Sequence, residues 1–129
     1  MILGLGSDVV NITRIERVLS QFGKRFITRT FTLEEITGAE KYTNPRSQAA
    51  YYARRFAAKE ACAKALGTGF RHGLRFTDIG VVHAADGKPE LVLRGKAAVL
   101  AAEMSRDHVL HLTLSDDYPT AMAVVIISR

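Results

Sequence analysis

Ser47-Gln-Ala-Ala-Tyr-Tyr-Ala-Arg-Arg-Phe-Ala-Ala-Lys-Glu-Ala-Cys-Ala-Lys-Ala-Leu66 is the segment around which the chain organises itself. Eight of its twenty residues are alanine and none is glycine or proline, so it reads as one long helix. Asn44-Pro45 marks a break before it, and Gly67-Thr68-Gly69 ends it as a helix C-terminus is expected to end. On the N-terminal side, Ile2-Leu3-Gly4-Leu5-Gly6 reads as a short strand ending in Ser7-Asp8. From Thr13 to Phe22, the residues Ile15, Val18, Leu19 and Phe22 recur at helical spacing, with Arg14, Arg17 and Gln21 opposite and Gly23 as the stop. Thr32 and Glu35 have capping-box spacing and predict a further short helix.

Beyond the long helix, Asp78 to Ala84 and Glu90 to Leu93 read as strands around the Asp86-Gly87 turn. Gly95 to Met104 is a second amphipathic helix with Ala98, Leu100 and Ala101 as core candidates. His111 to Leu114 and Ala121 to Ile127, joined across Asp116-Asp117-Tyr118-Pro119, predict a closing hairpin whose last strand is buried. With no linker, repeat or low-complexity stretch, residues 1–129 are expected to form one α+β domain, an antiparallel sheet packed against a long helix.

The chain has 129 residues, 47% hydrophobic and 24% charged, which suits a packed core and excludes a disordered tail. Its net charge of +5 is lopsided: residues 1–64 carry eleven basic and six acidic side chains, residues 65–129 seven of each. A basic half of this kind points to an acidic partner, or else to a solvated charged face. No apolar run approaches the ~18 residues of a membrane helix, and the apolar N-terminus lacks a charged n-region, so a cytoplasmic protein with no membrane partner is expected. One cysteine, Cys62, forms no internal disulfide, and no cysteine–histidine cluster has zinc spacing.

Asp8 follows the glycine-rich strand, where its carboxylate either caps a helix or projects into a cleft. Glu60 and Lys64 share one face of the long helix, either as an exposed i,i+4 pair or as part of a site. Lys59 reads equally as a solvated charge or a site residue. An Asp and a Glu from distant segments, with lysines and arginines nearby, suit Mg²⁺ and a phosphorylated substrate, because Mg²⁺ takes one or two carboxylates and completes its shell with water and phosphate oxygens. His72, His83 and His108 read as surface or structural residues.

The sequence resembles the holo-acyl-carrier-protein synthases, the small 4′-phosphopantetheinyl transferases. The resemblance rests on Gly4-Leu5-Gly6-Ser7-Asp8-Val9-Val10, on Phe26 to Glu35, on Arg55-Phe56-Ala57-Ala58-Lys59-Glu60-Ala61 with Lys64 to Gly69, on Gly87-Lys88-Pro89, and on His111 to Ser115. It departs after Ser115: many members carry a histidine and then a tyrosine entering the final strand, whereas here Asp116, Asp117, Tyr118 and Pro119 intervene before Ala121 and Ala123.

The resemblance implies transfer of the 4′-phosphopantetheine group of coenzyme A to a serine of apo acyl carrier protein in fatty acid biosynthesis. By position, Asp8 and Glu60 bind Mg²⁺, and Glu60, directly or through a water, takes the serine proton. Lys64 attends the leaving group. Arg55, His111, Gly67 and Pro89 contact coenzyme A, and Arg14, Arg17, Lys24 and Arg25 dock the acidic carrier. A homotrimer with active sites at subunit interfaces is also implied. Two rivals are weighed against this. A nucleic-acid-binding module would need stacking aromatics, and the aromatic share is 8%. A Mg²⁺-dependent hydrolase explains Asp8 and Glu60 but not the basic helix that follows Asp8.

Overall fold

A computed structural model describes residues 1–129. The long helix, α4, runs from Pro45 to Ala65 and starts two residues earlier than the sequence reading. Pro45 takes the first helical position, where its missing N–H is not needed, and the Asn44 side chain accepts from the Arg46 and Ser47 amides. Strand β1 spans Ile2–Asn11 and lies antiparallel to β5, Thr120–Ser128, which in turn pairs with β4, Val109–Asp117. The sheet order is β1-β5-β4, so the last strand is the central one. A separate hairpin, β2 (Ile79–His83) and β3 (Pro89–Leu93), replaces the single sheet expected.

Small residues set the spacing between sheet and helix. A methyl group on Gly6 would stand 1.9 Å from the Ala61 carbonyl oxygen, and one on Gly4 would stand 2.1 Å from that of Ala65. Only glycine at both positions lets α4 lie directly on the β1 backbone. Ala121, Ala123, Val125 and Ile127 of β5 face the same helix and are fully buried, and they join one continuous core that also takes in α4 and the hairpin. A single core of this kind makes one α+β domain.

The first strand outruns its prediction because pairing with β5 continues to Asn11, opposite Thr120. Asn11, not Asp8, caps helix α1 (Ile12–Phe22): its side chain accepts from the Thr13 amide at 2.9 Å. Asp8 is therefore a strand residue. Gly23, with φ of 48°, stops α1 and opens helix α2 (Lys24–Thr30), which the sequence did not announce. Thr32 and Glu35 form both bonds of the expected capping box at the start of α3, Leu33–Ala39. Helix α5 spans Gly95–Met104 as predicted, but Ala97 and Ala101 are its buried residues, with Ala98 and Leu100 half-buried.

Candidate active site

Asp8 pairs with Ala123 on the helix-facing side of the sheet. The close approach at Gly4 and Gly6 brings the next turn of α4 over it. The Lys64 ammonium donates to the Ser7 carbonyl at 2.8 Å and to Asp8 Oδ1 at 3.2 Å. Glu60 lies one turn back on the same face. Burial, and then the Asp8 carboxylate, raise the Glu60 carboxyl above its ordinary range, while Lys64 and Arg14 oppose the rise. Four charged side chains from β1, α1 and α4 thus share one neighbourhood. The Glu60 carboxylate enters no ion pair and accepts no side-chain hydrogen bond. It is free for a ligand.

No third His, Cys, Asp or Glu joins Asp8 and Glu60. Two carboxylates with an open side are a poor cage for Ca²⁺ but suit Mg²⁺, which keeps waters and takes the rest of its ligands from a phosphorylated substrate. The donor chemistry fits such an ion, and the cations of Lys64 and Arg14 fit the phosphates it would accompany.

Lys59, the neighbour of Glu60, faces the other way and is fully buried. Its ammonium donates to Glu35 Oε1 at 2.7 Å, to the Phe76 carbonyl at 3.2 Å and to the Ile79 carbonyl. Glu35 also accepts from the Thr32 and Val81 amides. All three ammonium protons are used, so Lys59 ties α4 to α3 and β2 and is neither a solvated charge nor a site residue.

Arg55 lies a turn and more before Glu60 and is also buried. Its guanidinium covers the Tyr51 ring at 3.8 Å and stands 3.4 Å from both ring nitrogens of His83. No carboxylate pairs with it, and Nε is buried without a partner. These groups, with Lys41, line a cleft of about 210 Å³. Burial, then the cations of Arg55, Lys41 and Arg54, lower the His83 pKa and keep the ring neutral near pH 7. Its two cations, Arg55 and Lys41, outnumber its one carboxylate, Glu34, which is paired with Arg94, and so suit a phosphate. The sequence reads His83 as a surface or structural residue and does not single out Lys41, since nothing in their own surroundings along the chain links them to Arg55.

His111 and Pro89 are together elsewhere, lining a cleft of about 230 Å³ between β3 and β4. His111 lies opposite Ile126, in the row of the sheet's outer face that includes Leu5, and its Nε2 is 2.8 Å from Ser128 Oγ. Asp8 is on the inner face and at the opposite edge of the sheet. One chain therefore does not bring His111 and Pro89 to Asp8 and Glu60. Gly67, φ 85°, closes α4, its amide donating to the Lys64 carbonyl.

Arg14 and Arg17 on α1 and Lys24 and Arg25 on α2 are exposed and free of ion pairs. Beside them Val18, Phe22, Phe26, Phe56 and Phe76 line an apolar groove of about 600 Å³ rimmed by Arg25 and Arg29. Phe22, on the apolar face read from the α1 spacing, is half exposed at this groove. The divergent loop is turned onto its own chain: Asp116 pairs with Arg54 at 3.1 Å, Tyr118 donates to Glu16 at 2.9 Å, and Arg46 stacks on Tyr118. No helix is long and apolar enough to cross a membrane.

A family model of the 4′-phosphopantetheinyl transferase superfamily matches residues 4–123. The holo-acyl-carrier-protein synthase of Erythrobacter litoralis is 53% identical over 130 residues, covering 98% of this chain and 96% of the relative. The crystal structure of the synthase from Neisseria meningitidis superposes with a TM-score of 0.85 at 40% identity, over the whole of both chains. That of the Helicobacter pylori synthase in complex with coenzyme A gives 0.78 at 31% identity, covering 96% of this chain and 99% of the other.

Proposed function

The chain belongs to the holo-acyl-carrier-protein synthases of the 4′-phosphopantetheinyl transferase superfamily, and we propose that it transfers the 4′-phosphopantetheine group of coenzyme A to a serine of apo acyl carrier protein. The observation that carries the reading is the meeting of Asp8 with Glu60, Lys64 and Arg14 from distant parts of the chain, with Glu60 uncommitted. The setting is the cytoplasm and the carriers are those of fatty acid biosynthesis.

Asp8 and Glu60 would hold Mg²⁺, which supplies charge neutralisation on the diphosphate of coenzyme A and on the departing bisphosphate. Glu60 takes the proton of the carrier serine, directly or through a water, as its Oγ attacks the phosphorus nearer the pantetheine. The bond to the second phosphorus's bridging oxygen breaks, and adenosine 3′,5′-bisphosphate leaves with the electron pair. Lys64, already on Asp8, offsets the charge that grows on that oxygen. Arg55 meets a phosphate of coenzyme A. Arg14, Arg17, Lys24 and Arg25 attract the acidic carrier, whose apolar side chains find the groove beside Phe22 and Phe26.

His111 and Pro89 reach the same coenzyme A from a second copy of the chain. The outer face of the sheet supports this, since Leu5 and Val9 are 64% and 68% exposed there beside Met122. The assembly proposed is a homotrimer with its sites between subunits. An inactive Asp8→Asn preparation mixed and reassembled with an inactive His111→Ala one should then regain part of the activity. No regain would overturn the shared site.

The direct test is intact-protein mass spectrometry of apo acyl carrier protein incubated with this protein, coenzyme A and Mg²⁺, against an EDTA control. A gain of one phosphopantetheine that EDTA abolishes is expected. No gain with several carriers would overturn the transferase reading, and coenzyme A consumed without a gain would identify a hydrolase.

A further inference from the structure

The Arg55 guanidinium has a reason to be without a carboxylate. Two glutamates are near enough to matter, and both are taken. Glu34 lines the same cleft but pairs with Arg94 at 3.0 Å. Glu35 is held by Lys59 and by two backbone amides. What Arg55 does have is the Tyr51 ring one helical turn before it, with its guanidinium carbon 3.8 Å from the ring centroid. Tyr51 is itself fixed. Its hydroxyl donates to the Glu35 main-chain carbonyl at 2.6 Å, and its ring packs against Tyr42 and, edge to face, Tyr52.

We propose that Tyr51 is the positioning residue for Arg55: its buried ring is the shelf that holds the guanidinium flat, with an edge left free for a phosphate of the incoming coenzyme A. The proposal rests on the reading of Arg55 as a coenzyme A contact. A planar guanidinium binds phosphate through its edge, so covering one face with an aromatic ring leaves the binding edge open. A carboxylate in place of the ring would neutralise Arg55 and compete with the phosphate. The shelf supplies attraction without competition, because a cation over an aromatic face is held by the ring quadrupole alone. The His83 ring lies against the same guanidinium, with both ring nitrogens 3.4 Å from one of its terminal nitrogens.

The test is steady-state kinetics on three variants, read as separate KM values for coenzyme A and for the carrier. Tyr51→Met keeps most of the volume but removes the π face. It should raise the KM for coenzyme A about tenfold, the scale of a desolvated cation–π contact. The carrier KM and kcat at saturating coenzyme A should stay near those of the parent. Tyr51→Phe keeps the ring and should stay within about twofold for coenzyme A, although the hydroxyl bond is gone.

In an Arg55→Gln background, Tyr51→Met should have no further effect, since Tyr51 acts through Arg55. Multiplying effects in the double variant would overturn the proposal, as a packing role alone produces them. An unchanged coenzyme A KM in Tyr51→Met, with a raised one in Arg55→Gln, would overturn it while leaving the Arg55 reading intact. If Arg55→Gln left that KM unchanged, both would fall. Should Tyr51→Met not fold, Tyr51→Phe still decides: a tenfold rise there would assign the effect to the hydroxyl and defeat the shelf.

Discussion

Lys59 and Glu60 are neighbours on one alanine-rich helix and meet opposite fates. Lys59 turns toward α3 and β2, is sealed from water, and spends every proton on an oxygen of the protein. Glu60 turns toward β1, is half-buried, and has two cations nearby but none in contact. The difference separates structure from chemistry better than charge or burial does. A saturated buried charge is finished, whereas an unsaturated one beside a like charge is strained in a way that a ligand relieves.

The largest effect should come from breaking the open side. With Glu60 as the proposed proton acceptor, Glu60→Gln is expected to lower kcat by about 10²–10⁴. The same change should leave the metal-free protein as stable or more so at pH 7. Folded Glu60 keeps its proton to a higher pH than the unfolded side chain at 4.5, so stability falls as pH rises above that value. Thermal melts of parent and variant from pH 4 to 8 should diverge toward the alkaline end, with the variant higher. A variant that melted lower throughout would make Glu60 a structural residue like its neighbour.

The closed side should break differently. Lys59→Met leaves the Glu35 carboxylate buried without its cation, which costs about 3–5 kcal/mol. Urea denaturation should show that loss, while turnover per folded molecule at low temperature stays within a few fold of the parent. Adding Glu35→Gln should recover only part of the loss, because the Thr32 and Val81 amides share the two carboxylate oxygens and the amide offers one acceptor. A collapse of kcat at unchanged stability would move Lys59 into the site.

Which of these two charges was which could not be read along the chain. Helix α4 is buried nearly all round, so it has no polar face to say where a lysine points. The Lys59 partner is 24 residues away and its other acceptors are backbone carbonyls. What was legible were local signals: the alanine run, the Thr32–Glu35 capping box, the Gly67 stop, and the glycine turn before β3. The α2 helix was hidden because Lys24-Arg-Phe-Ile-Thr-Arg-Thr has two threonines and an isoleucine and no side-chain cap. The full length of β1 depended on a partner strand more than a hundred residues later. Asp8, Glu60 and Lys64 were legible as a set through the family motifs, but the surroundings of Arg55 belong to the tertiary fold alone.

A smaller effect tests what brings the two sides of the comparison into place. Gly6→Ala would put a methyl group against the Ala61 carbonyl and force β1 from α4. Overpacking of this kind costs about 1–3 kcal/mol. Because the shift parts Asp8 from Glu60, kcat should fall by more than the melt suggests. Gly80→Ala, whose methyl would come no nearer than 3.3 Å to the Thr32 side chain and 3.8 Å to the Val92 carbonyl oxygen, should be milder on both counts. Equal losses in the two variants would show that the glycine contact serves packing and not the site.

The smallest effect refines the account of why Glu60 is open. Among the causes that set its carboxyl, burial and Asp8 push upward, Lys64 pushes down, and Arg14 pushes down least. Removing a cation should therefore raise the Glu60 pKa further, more for Lys64→Met than for Arg14→Gln. Carbon-13 NMR titration of the Glu60 carboxyl in the metal-free protein reads both shifts directly. Arg14→Gln should also raise the carrier KM a few fold, in a way that salt diminishes, while the coenzyme A KM stays put. Lys64→Met should show the reverse preference, with the larger titration shift and no salt-sensitive change in carrier binding. If Arg14 moved the titration more than Lys64 did, the arginine would sit closer to Glu60 in solution than the lysine bridged to Asp8. Helix α1, proposed to receive the carrier, would then also hold the Glu60 carboxyl in check.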